Sequence, residues 1–125
     1  MHKEKIIEVD KVWGEEIWLV NLPEYCGKLL LLDTGAESSY HMHPVKKETF
    51  MAIEGYATLI VEGKEYMLAP FTRAKTIMPG ERHKFIGITN AVILEISTHH
   101  SDDDVVRFSE STEGRRELDT NSEPE

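Results

Sequence analysis

The sequence has little cysteine and no long apolar segment. Cys26 is the only cysteine among 125 residues, so the chain cannot form an internal disulfide, and a reducing cytoplasm is its expected location. The longest apolar runs, such as residues 29–32, are far shorter than the roughly 18 residues that span a bilayer. The first residues carry mixed charge without an apolar stretch, so we expect no secretory signal. These absences argue against a membrane protein and a disulfide-stabilised scaffold.

Basic residues are also few. Fourteen lysines and arginines stand against 23 acids, which gives a formal net charge of −9. Because nucleic-acid binding depends on Lys and Arg neutralising phosphates, this balance argues against DNA or RNA as a partner. A length of 125 residues suits one domain with one core. Any ligand or chemistry must therefore fit inside one small fold.

The acidic residues are unevenly spread along the chain. Residues 109–125 hold six acids against two arginines, and Leu118 is their only large apolar residue. Such a stretch buries too little apolar surface to offset the entropy lost on ordering. We therefore predict a folded body over residues 1–108 and a mobile acidic tail over residues 109–125, unless the front half of that tail folds over the body.

Short apolar runs broken by Gly, Pro and acidic pairs predict strands, and no long stretch has the 3.6-residue period of a helix. The nine predicted strands cover residues 16–20, 28–33, 39–43, 48–53, 56–61, 65–69, 74–77, 83–88 and 92–97. Glu62 and Gly63 between two of them predict a tight hairpin, because glycine accepts a positive φ. Many short strands at this spacing predict an all-β, antiparallel sandwich or barrel with little helix.

The predicted strand over residues 48–53 is apolar on both faces. Side chains alternate along a strand, so one face carries Glu48, Phe50 and Ala52, and the other carries Thr49, Met51 and Ile53. A strand that is apolar on both faces is usually covered on both. In so small a barrel the second cover is a partner subunit, and we predict a homodimer.

Two histidines, His41 and His43, are predicted to project side by side from one strand. After a turn at Pro44, Glu48 can open the next antiparallel strand and bring a carboxylate to the same point. A Pro-Gly turn can deliver a third imidazole, that of His83, at the start of another strand. Three neutral imidazoles and one carboxylate suit one divalent transition metal, Zn, Mn, Fe, Co or Ni, with positions left open for water or substrate.

The pattern around these residues resembles the cupin superfamily. The first cupin motif contains two glycines, His-x-His and a Glu, and the chain matches it at Gly35, His41, His43, Glu48 and Gly55. The second motif is matched at Pro79, Gly80 and His83, and the chain departs from it at Gly87, where Asn is usual. The resemblance covers residues from about 11 to 107. It implies a single-domain cupin, a jelly-roll barrel or double-stranded β-helix that encloses the metal.

A narrower resemblance is to the cupin domain of type II mannose-6-phosphate isomerases. Residues 11–15, 95–97 and 103–107 are similar to three stretches of that family, which read Pro-Trp-Gly, Ile-Glu-Val-Gln and Asp-Asp-Ile-Val-Arg. The chain departs from the family at His41, at Lys46 with Lys47, and at Ser97, where Gln, Arg and Gln are usual. The resemblance implies a sugar or sugar phosphate as the small-molecule substrate, and aldose–ketose isomerisation or epimerisation as the reaction.

Isomerisation of this kind needs a base and a group that stabilises the enediolate, which a divalent metal does as a Lewis acid. Glu95, an acid in the apolar segment 92–96, is a candidate base where it points inward, because burial raises the pKa of a carboxyl group. A Glu95 that faces solvent or pairs with a lysine remains an open alternative. The resemblance makes Arg107 a second candidate catalytic residue, and it makes Arg107 and Lys46 candidate anchors for a phosphate or sugar hydroxyls.

Two other functions remain open. The same ligand set around Fe(II) suits a dioxygenase, and a barrel without catalysis could hold a metal or bind a sugar. Cys26 has no base near it in sequence and is predicted to be structural. Trp13 and Trp18 are predicted to pack at the end of the barrel, and His99 and His100, beside acidic residues 102–104, are predicted to lie in a solvated loop.

Overall fold

Strands with alternating buried and exposed side chains make up the chain. The computed structural model describes residues 1–116, and these residues form eleven strands and no helix. The strands are β1 (Ile7–Lys11), β2 (Gly14–Asn21), β3 (Cys26–Leu32), β4 (His41–Met42), β5 (Glu48–Glu54), β6 (Ala57–Val61), β7 (Lys64–Leu68), β8 (Lys75–Ile77), β9 (His83–Gly87), β10 (Ala91–Ser97) and β11 (Val106–Arg107). The described part of the chain has no helix long and apolar enough to cross a membrane.

The strands form two antiparallel sheets around one core. The larger sheet has the order β1-β2-β3-β10-β5-β8, and the smaller has the order β11-β4-β9-β6-β7. Neighbouring strands are often distant in sequence, since β10 lies between β3 and β5. The prediction of an all-β, single-domain jelly roll is confirmed.

The predicted strands occur with small shifts at their ends, and the sequence pattern missed β1 and β11. Both lie at sheet edges, where β1 is mostly exposed and β11 has only two residues. An edge strand needs no apolar alternation, so its sequence does not distinguish it from a loop. The hairpin prediction is confirmed, because Glu62 and Gly63 have φ of 47° and 79° and join the pair Val61 and Lys64.

The interior of the barrel changes from apolar to polar along its strands. Inward-facing residues at one end form a hydrophobic core that includes Leu30, Leu32, Phe50, Phe85 and Ile93. At the other end the same strands turn polar side chains inward: Lys28 from β3, Glu48 from β5, His83 from β9 and Glu95 from β10. The core therefore closes one end of the barrel and leaves a polar cavity at the other.

Residues beyond the predicted boundary at 108 bond to the barrel. The backbones of Thr112 and Glu37 exchange two hydrogen bonds, and the Arg115 amide donates to the Thr34 carbonyl at 2.8 Å. Arg116 also pairs with Asp33 at 2.9 Å. The front half of the predicted tail thus lies against the loop that follows β3, and residues 117–125 of that tail lie outside the described residues.

Gly55, which follows β5, shows why one motif position requires glycine. Its φ is 71°, and a Cβ there would stand 1.9 Å from the Asn90 carbonyl oxygen. Gly63 has a similar φ of 79°, but a Cβ at that position would meet nothing within 4 Å. We expect Gly55→Ala to lower the free energy of unfolding by more than about 3 kcal/mol and Gly63→Ala by about 1 kcal/mol, as measured by equilibrium urea denaturation. Equal losses would contradict this account of the contact.

Candidate metal centre

The smaller sheet and β5 bring the four predicted metal ligands together. His41 lies on β4, directly opposite His83, the first residue of β9. His43 follows β4 by one residue, and after the turn at Pro44 the chain returns so that Glu48 begins β5. Short strand ends therefore supply all four side chains from the polar end of the barrel.

The three imidazoles converge on one point. Their candidate ligand nitrogens lie within 4.8 Å of one another, and the ring centroids of His41 and His83 are 4.4 Å apart. The carboxylate joins them, because Glu48 Oε2 lies 3.0 Å from His83 Nε2 and 3.5 Å from His43 Nε2. The four residues, which are separated in the sequence, thus form one cluster in the structure.

Backbone carbonyl groups fix the orientation of each imidazole. The Nδ1 atoms of His41, His43 and His83 lie 2.7, 2.7 and 2.9 Å from the carbonyl oxygens of Ser39, Asp104 and Glu81. A carbonyl oxygen only accepts, so each Nδ1 carries the hydrogen and donates it. Each neutral ring then presents the lone pair of Nε2 to the cluster, which is the arrangement that second-shell hydrogen bonds give to metal-binding histidines.

Asp104 holds this region in two ways. Its carbonyl orients His43, and its carboxylate accepts hydrogen bonds from the backbone amides of Val45 and Lys46, both at 2.9 Å. The turn that separates His43 from Glu48 is therefore fixed by a residue 61 positions beyond His43. No role for Asp104 was predicted from the sequence.

Electrostatics keep two of the ligands, His41 and Glu48, in the protonation states that a metal requires. Burial and the nearby His83 lower the pKa of His41 to about 3, so its ring is neutral. Burial alone would raise the pKa of Glu48, but its contacts with His83 and Lys46 lower it to about 2. Neutral imidazoles and an ionised carboxylate are the ligand forms that bind divalent cations.

Two buried atoms of the cluster need a further partner. Glu48 Oε2 and His83 Nε2 are enclosed, and neither has a hydrogen-bond partner among the described residues. When His83 is neutral with its hydrogen on Nδ1, both atoms offer lone pairs across 3.0 Å, which is unfavourable unless a proton or a metal ion lies between them. The residues therefore fit a divalent transition metal held by three imidazoles and one carboxylate.

Glu95 points inward and is paired with a lysine. It lies on β10, is 3% exposed, and its Oε2 is 2.7 Å from Nζ of Lys46. Lys46 is itself 3% exposed, and its Nζ also lies 3.3 Å from Glu48 Oε1 and 3.3 Å from His100 Nδ1. Burial disfavours the charge on Lys46, but Glu95 and Glu48 outweigh it and raise the pKa of this lysine. Lys46, predicted as a substrate anchor, thus has its hydrogen atoms directed to groups of the protein.

Arg107 lies at the mouth of the cavity. It belongs to β11, pairs with His41 through the backbone, and is exposed. Within residues 1–116 its guanidinium makes no ion pair. Its donors are therefore available to a ligand that enters the cavity.

Sequence reasoning missed Lys28 and His100. Lys28 is 1% exposed, lies 3.4 Å from Glu16 Oε1 and packs over the ring of Trp18 at 4.4 Å.

The prediction that His100 is solvated is wrong, because its ring is half-buried against Trp18. Its Nδ1 lies near Lys46, and its Nε2 lies 2.8 Å from Asp102. Burial and the charges of Lys28 and Lys46 lower the pKa of His100. One signal could have revealed Lys28, since it shares strand parity with the inward-facing Leu30.

Most of these groups line one cavity of about 360 Å³. Its walls include the predicted base, four Lys or Arg residues and two of the three cluster histidines: Glu95, Lys11, Lys28, Lys46, Arg107, His41 and His43. Cys26 is buried, and burial raises the pKa of its thiol. A buried thiol of raised pKa agrees with the predicted structural role. The cavity can therefore bind a small ligand next to a metal ion.

Comparison with known proteins agrees with this geometry. A family model described as a cupin domain matches residues 28–97, more than half of the chain, so the chain belongs to the cupin family. No protein with a curated description matches the sequence significantly. Cupins typically bind a divalent metal, and the three histidines of this chain could hold one.

Solved structures show the same fold at low sequence identity. KdgF from a Halomonas species has a TM-score of 0.66 and 17% identity over 71% of this chain and 81% of its own. An RmlC-like cupin from Shewanella frigidimarina has a TM-score of 0.72 and 18% identity over 82% and 95%. The capsular polysaccharide assembling protein CapF from Staphylococcus aureus has a TM-score of 0.74 and 16% identity over 84% of this chain but only 34% of CapF. These likenesses show the fold alone.

Removal of a single imidazole should abolish metal binding. We expect purified protein to hold one divalent ion per chain, and His41→Ala or His83→Ala to hold almost none, because each loses one ligand of four. His99→Ala is the matched control, since that exposed ring bonds only to the Leu22 carbonyl. Elemental analysis by mass spectrometry gives the stoichiometry. Retention of one ion per chain in both cluster variants would show that the cluster is not the metal site.

Proposed function

We propose that this chain is a metal-dependent cupin that isomerises or epimerises a sugar or sugar phosphate, as the type II mannose-6-phosphate isomerases do. One observation carries the proposal: Glu95, a buried carboxylate, faces the same cavity as the four-residue cluster and is not a member of it. A metal site alone needs no second inward acid. A proton transfer next to a metal does need one.

His41, His43, His83 and Glu48 would hold the metal. When bound, the ion supplies Lewis-acid stabilisation of the negative charge that develops on the substrate oxygens. The remaining chemistry is the movement of one proton between adjacent carbons, which the chain itself must perform.

Glu95 is the proposed base. Its contact with Lys46 at 2.7 Å orients the carboxylate, and burial removes the water that would otherwise solvate it. In isomerisation Glu95 takes the proton from C2 of the substrate and returns it to C1, while the substrate's own hydroxyl proton passes from O2 to O1. In epimerisation the proton returns to the opposite face of C2, after the enediolate has turned relative to Glu95. Lys46 is therefore a positioning residue in this mechanism.

Arg107 is the proposed anchor at the cavity mouth. Its exposed guanidinium can grip a phosphate or a pair of hydroxyls through two parallel hydrogen bonds. This contact orients the sugar so that its reacting carbons lie deeper in the cavity. CapF, whose fold this chain shares, is described as assembling capsular polysaccharide, which supports a substrate of the sugar class.

Turnover should depend on Glu95 while metal binding does not. We expect Glu95→Gln to reduce kcat by at least about 100-fold, because the amide cannot accept the proton, with metal content unchanged. The assay is a panel of aldoses and ketoses, of their phosphates including mannose 6-phosphate, and of hexuronates, with the native metal restored. Glu65→Gln, at an exposed position on β7, is the matched control. Full activity of Glu95→Gln would refute its role, and a wild-type protein inactive on the whole panel would refute the proposed reaction.

We also propose a homodimer formed through the outer face of the larger sheet. Ile17, Leu29, Leu94 and Met51 lie in register across four strands on that face, and Ile96 beside them is 58% exposed. An antiparallel sheet usually presents polar side chains to water, so an apolar outer face suits contact with a second copy of the same sheet.

Light scattering tests this assembly. We expect the wild type to have twice the 14.3 kDa chain mass at micromolar concentration, and Leu94→Lys to have the single-chain mass with an unchanged far-ultraviolet spectrum. Met67→Lys replaces an exposed apolar residue on the other sheet and should remain dimeric. A monomeric wild type would show that the dimer proposal is wrong.

A further inference from the structure

Lys28 forms a second charged group in the cavity, separate from the metal ligands. It projects inward from the middle of β3 and is 1% exposed, although it lines the cavity. Its Nζ lies 3.4 Å from Glu16 Oε1, and the ring of Trp18 covers one side of it at 4.4 Å. The same Glu16 oxygen also accepts a hydrogen bond from Trp18 Nε1 at 2.9 Å.

The ammonium group of Lys28 has more donors than the protein satisfies. It carries three hydrogens, and among residues 1–116 its single hydrogen bond is the long one to Glu16. A buried donor without an acceptor costs free energy, and the cost is larger for a charged group. Two hydrogens of Lys28 are therefore available to an acceptor that enters the cavity.

Lys46, the other lysine of the cavity, differs in this respect. Its Nζ has three partners, namely Glu95 at 2.7 Å, Glu48 at 3.3 Å and His100 at 3.3 Å. Two carboxylates and one imidazole nitrogen thus surround its ammonium group. Of these two lysines, Lys28 is thus the one that can bind a ligand without losing a protein contact.

The charge balance of the cavity indicates the kind of acceptor. The enclosed acids are Glu16, Glu48 and Glu95, and the enclosed lysines are Lys28 and Lys46. The other charged residues of the lining are two acids and two cations, Asp10, Asp102, Lys11 and Arg107, whose charges cancel. Three negative charges against two positive ones leave the cluster anionic by one charge, and a divalent ion makes it cationic by one. A ligand with one negative charge then makes the enclosed set neutral, which is the state that burial favours.

We propose that Lys28 binds the carboxylate of an acidic sugar, such as a hexuronate, whose carbonyl end faces the metal cluster. The inference deepens the proposed function and rests on it, since it names the substrate class of the same cavity. A carboxylate supplies one charge and two acceptor oxygens, which match the two free hydrogens of Lys28. A phosphate dianion would instead leave the enclosed set anionic again.

Binding measurements on the metal-loaded full chain test this proposal. The probes are glucuronate, glucose and glucose 6-phosphate, and the matching galactose series, because the members of each series differ only at C6. We expect calorimetry to show each uronate binding at least about ten-fold more tightly than its parent hexose, the range expected for a charge-assisted hydrogen bond. Lys28→Met should abolish that preference and leave hexose binding unchanged.

Two further variants separate ligand binding from folding. Loss of the ammonium leaves Glu16 without its cation, so Lys28→Met/Glu16→Gln removes both charges and should behave as Lys28→Met does. Lys64→Met, at an exposed position of the β6–β7 hairpin, should keep the full uronate preference. All variants should retain the wild-type metal content, because neither Lys28 nor Glu16 belongs to the metal cluster.

Three results would overturn the proposal: uronates that bind the wild type no better than hexoses, a preference for the 6-phosphates, or equal weakening of uronate and hexose binding in Lys28→Met. Its failure is distinguishable from failure of the proposed reaction. A uronate preference that depends on Lys28, in a protein that isomerises nothing, would refute the proposed reaction and support the binding site. Isomerisation of sugars by a protein that binds uronates no better than hexoses would refute the binding site and support the reaction.

Discussion

Charged groups enclosed in this barrel must find their partners inside it, because an unpaired buried charge costs several kcal/mol. The polar end of the barrel meets this demand with interlocked contacts: Glu48 and Glu95 share Lys46, and Glu16 faces Lys28. The apolar end needs no such pairing and closes the barrel with packed aliphatic and aromatic side chains. Three buried atoms of the described residues have no hydrogen-bond partner: Glu48 Oε2, His83 Nε2 and Glu95 Oε2. The first two lie in the ligand cluster and present lone pairs to a cation. The candidate metal centre therefore lies where the buried lone pairs have no partner within the described protein.

The need of buried charged and polar groups for partners also brings distant parts of the chain to the site. The loop after β10 supplies His100 to Lys46 and the Asp104 carbonyl to His43, and β11 then places Arg107 at the mouth. A hydrogen bond from a backbone carbonyl to each imidazole fixes which nitrogen faces inward, so ring orientation does not depend on a bound ion. The barrel thus preorganises the four-residue ligand cluster, the buried Glu95 carboxylate and the cations Lys28 and Arg107 around one small cavity, as the proposed chemistry of an acidic sugar requires.

The sequence predicts the fold and the ligand cluster well because both depend on local periodicity. His41 and His43 share a face by strand alternation, and turns at Pro44 and Gly80 return the chain at Glu48 and His83. Contacts across the barrel have no such local signal. The inward direction of Glu95 was ambiguous, because a shift of one residue in register would have turned it to solvent. Lys28 was missed because its partner Glu16 lies on a neighbouring strand, and Asp104 because a loop carries it to the site.

The account depends most on a metal ion bound by His41, His43, His83 and Glu48. Anomalous diffraction from crystals of the metal-loaded protein, recorded at the absorption edge of the ion found by elemental analysis, tests it most directly. We predict one strong peak per chain, within bonding distance of the three Nε2 atoms and of the Glu48 carboxylate. A peak beside His99 or beside His100 and Asp102, or no peak within the cluster, would contradict the account.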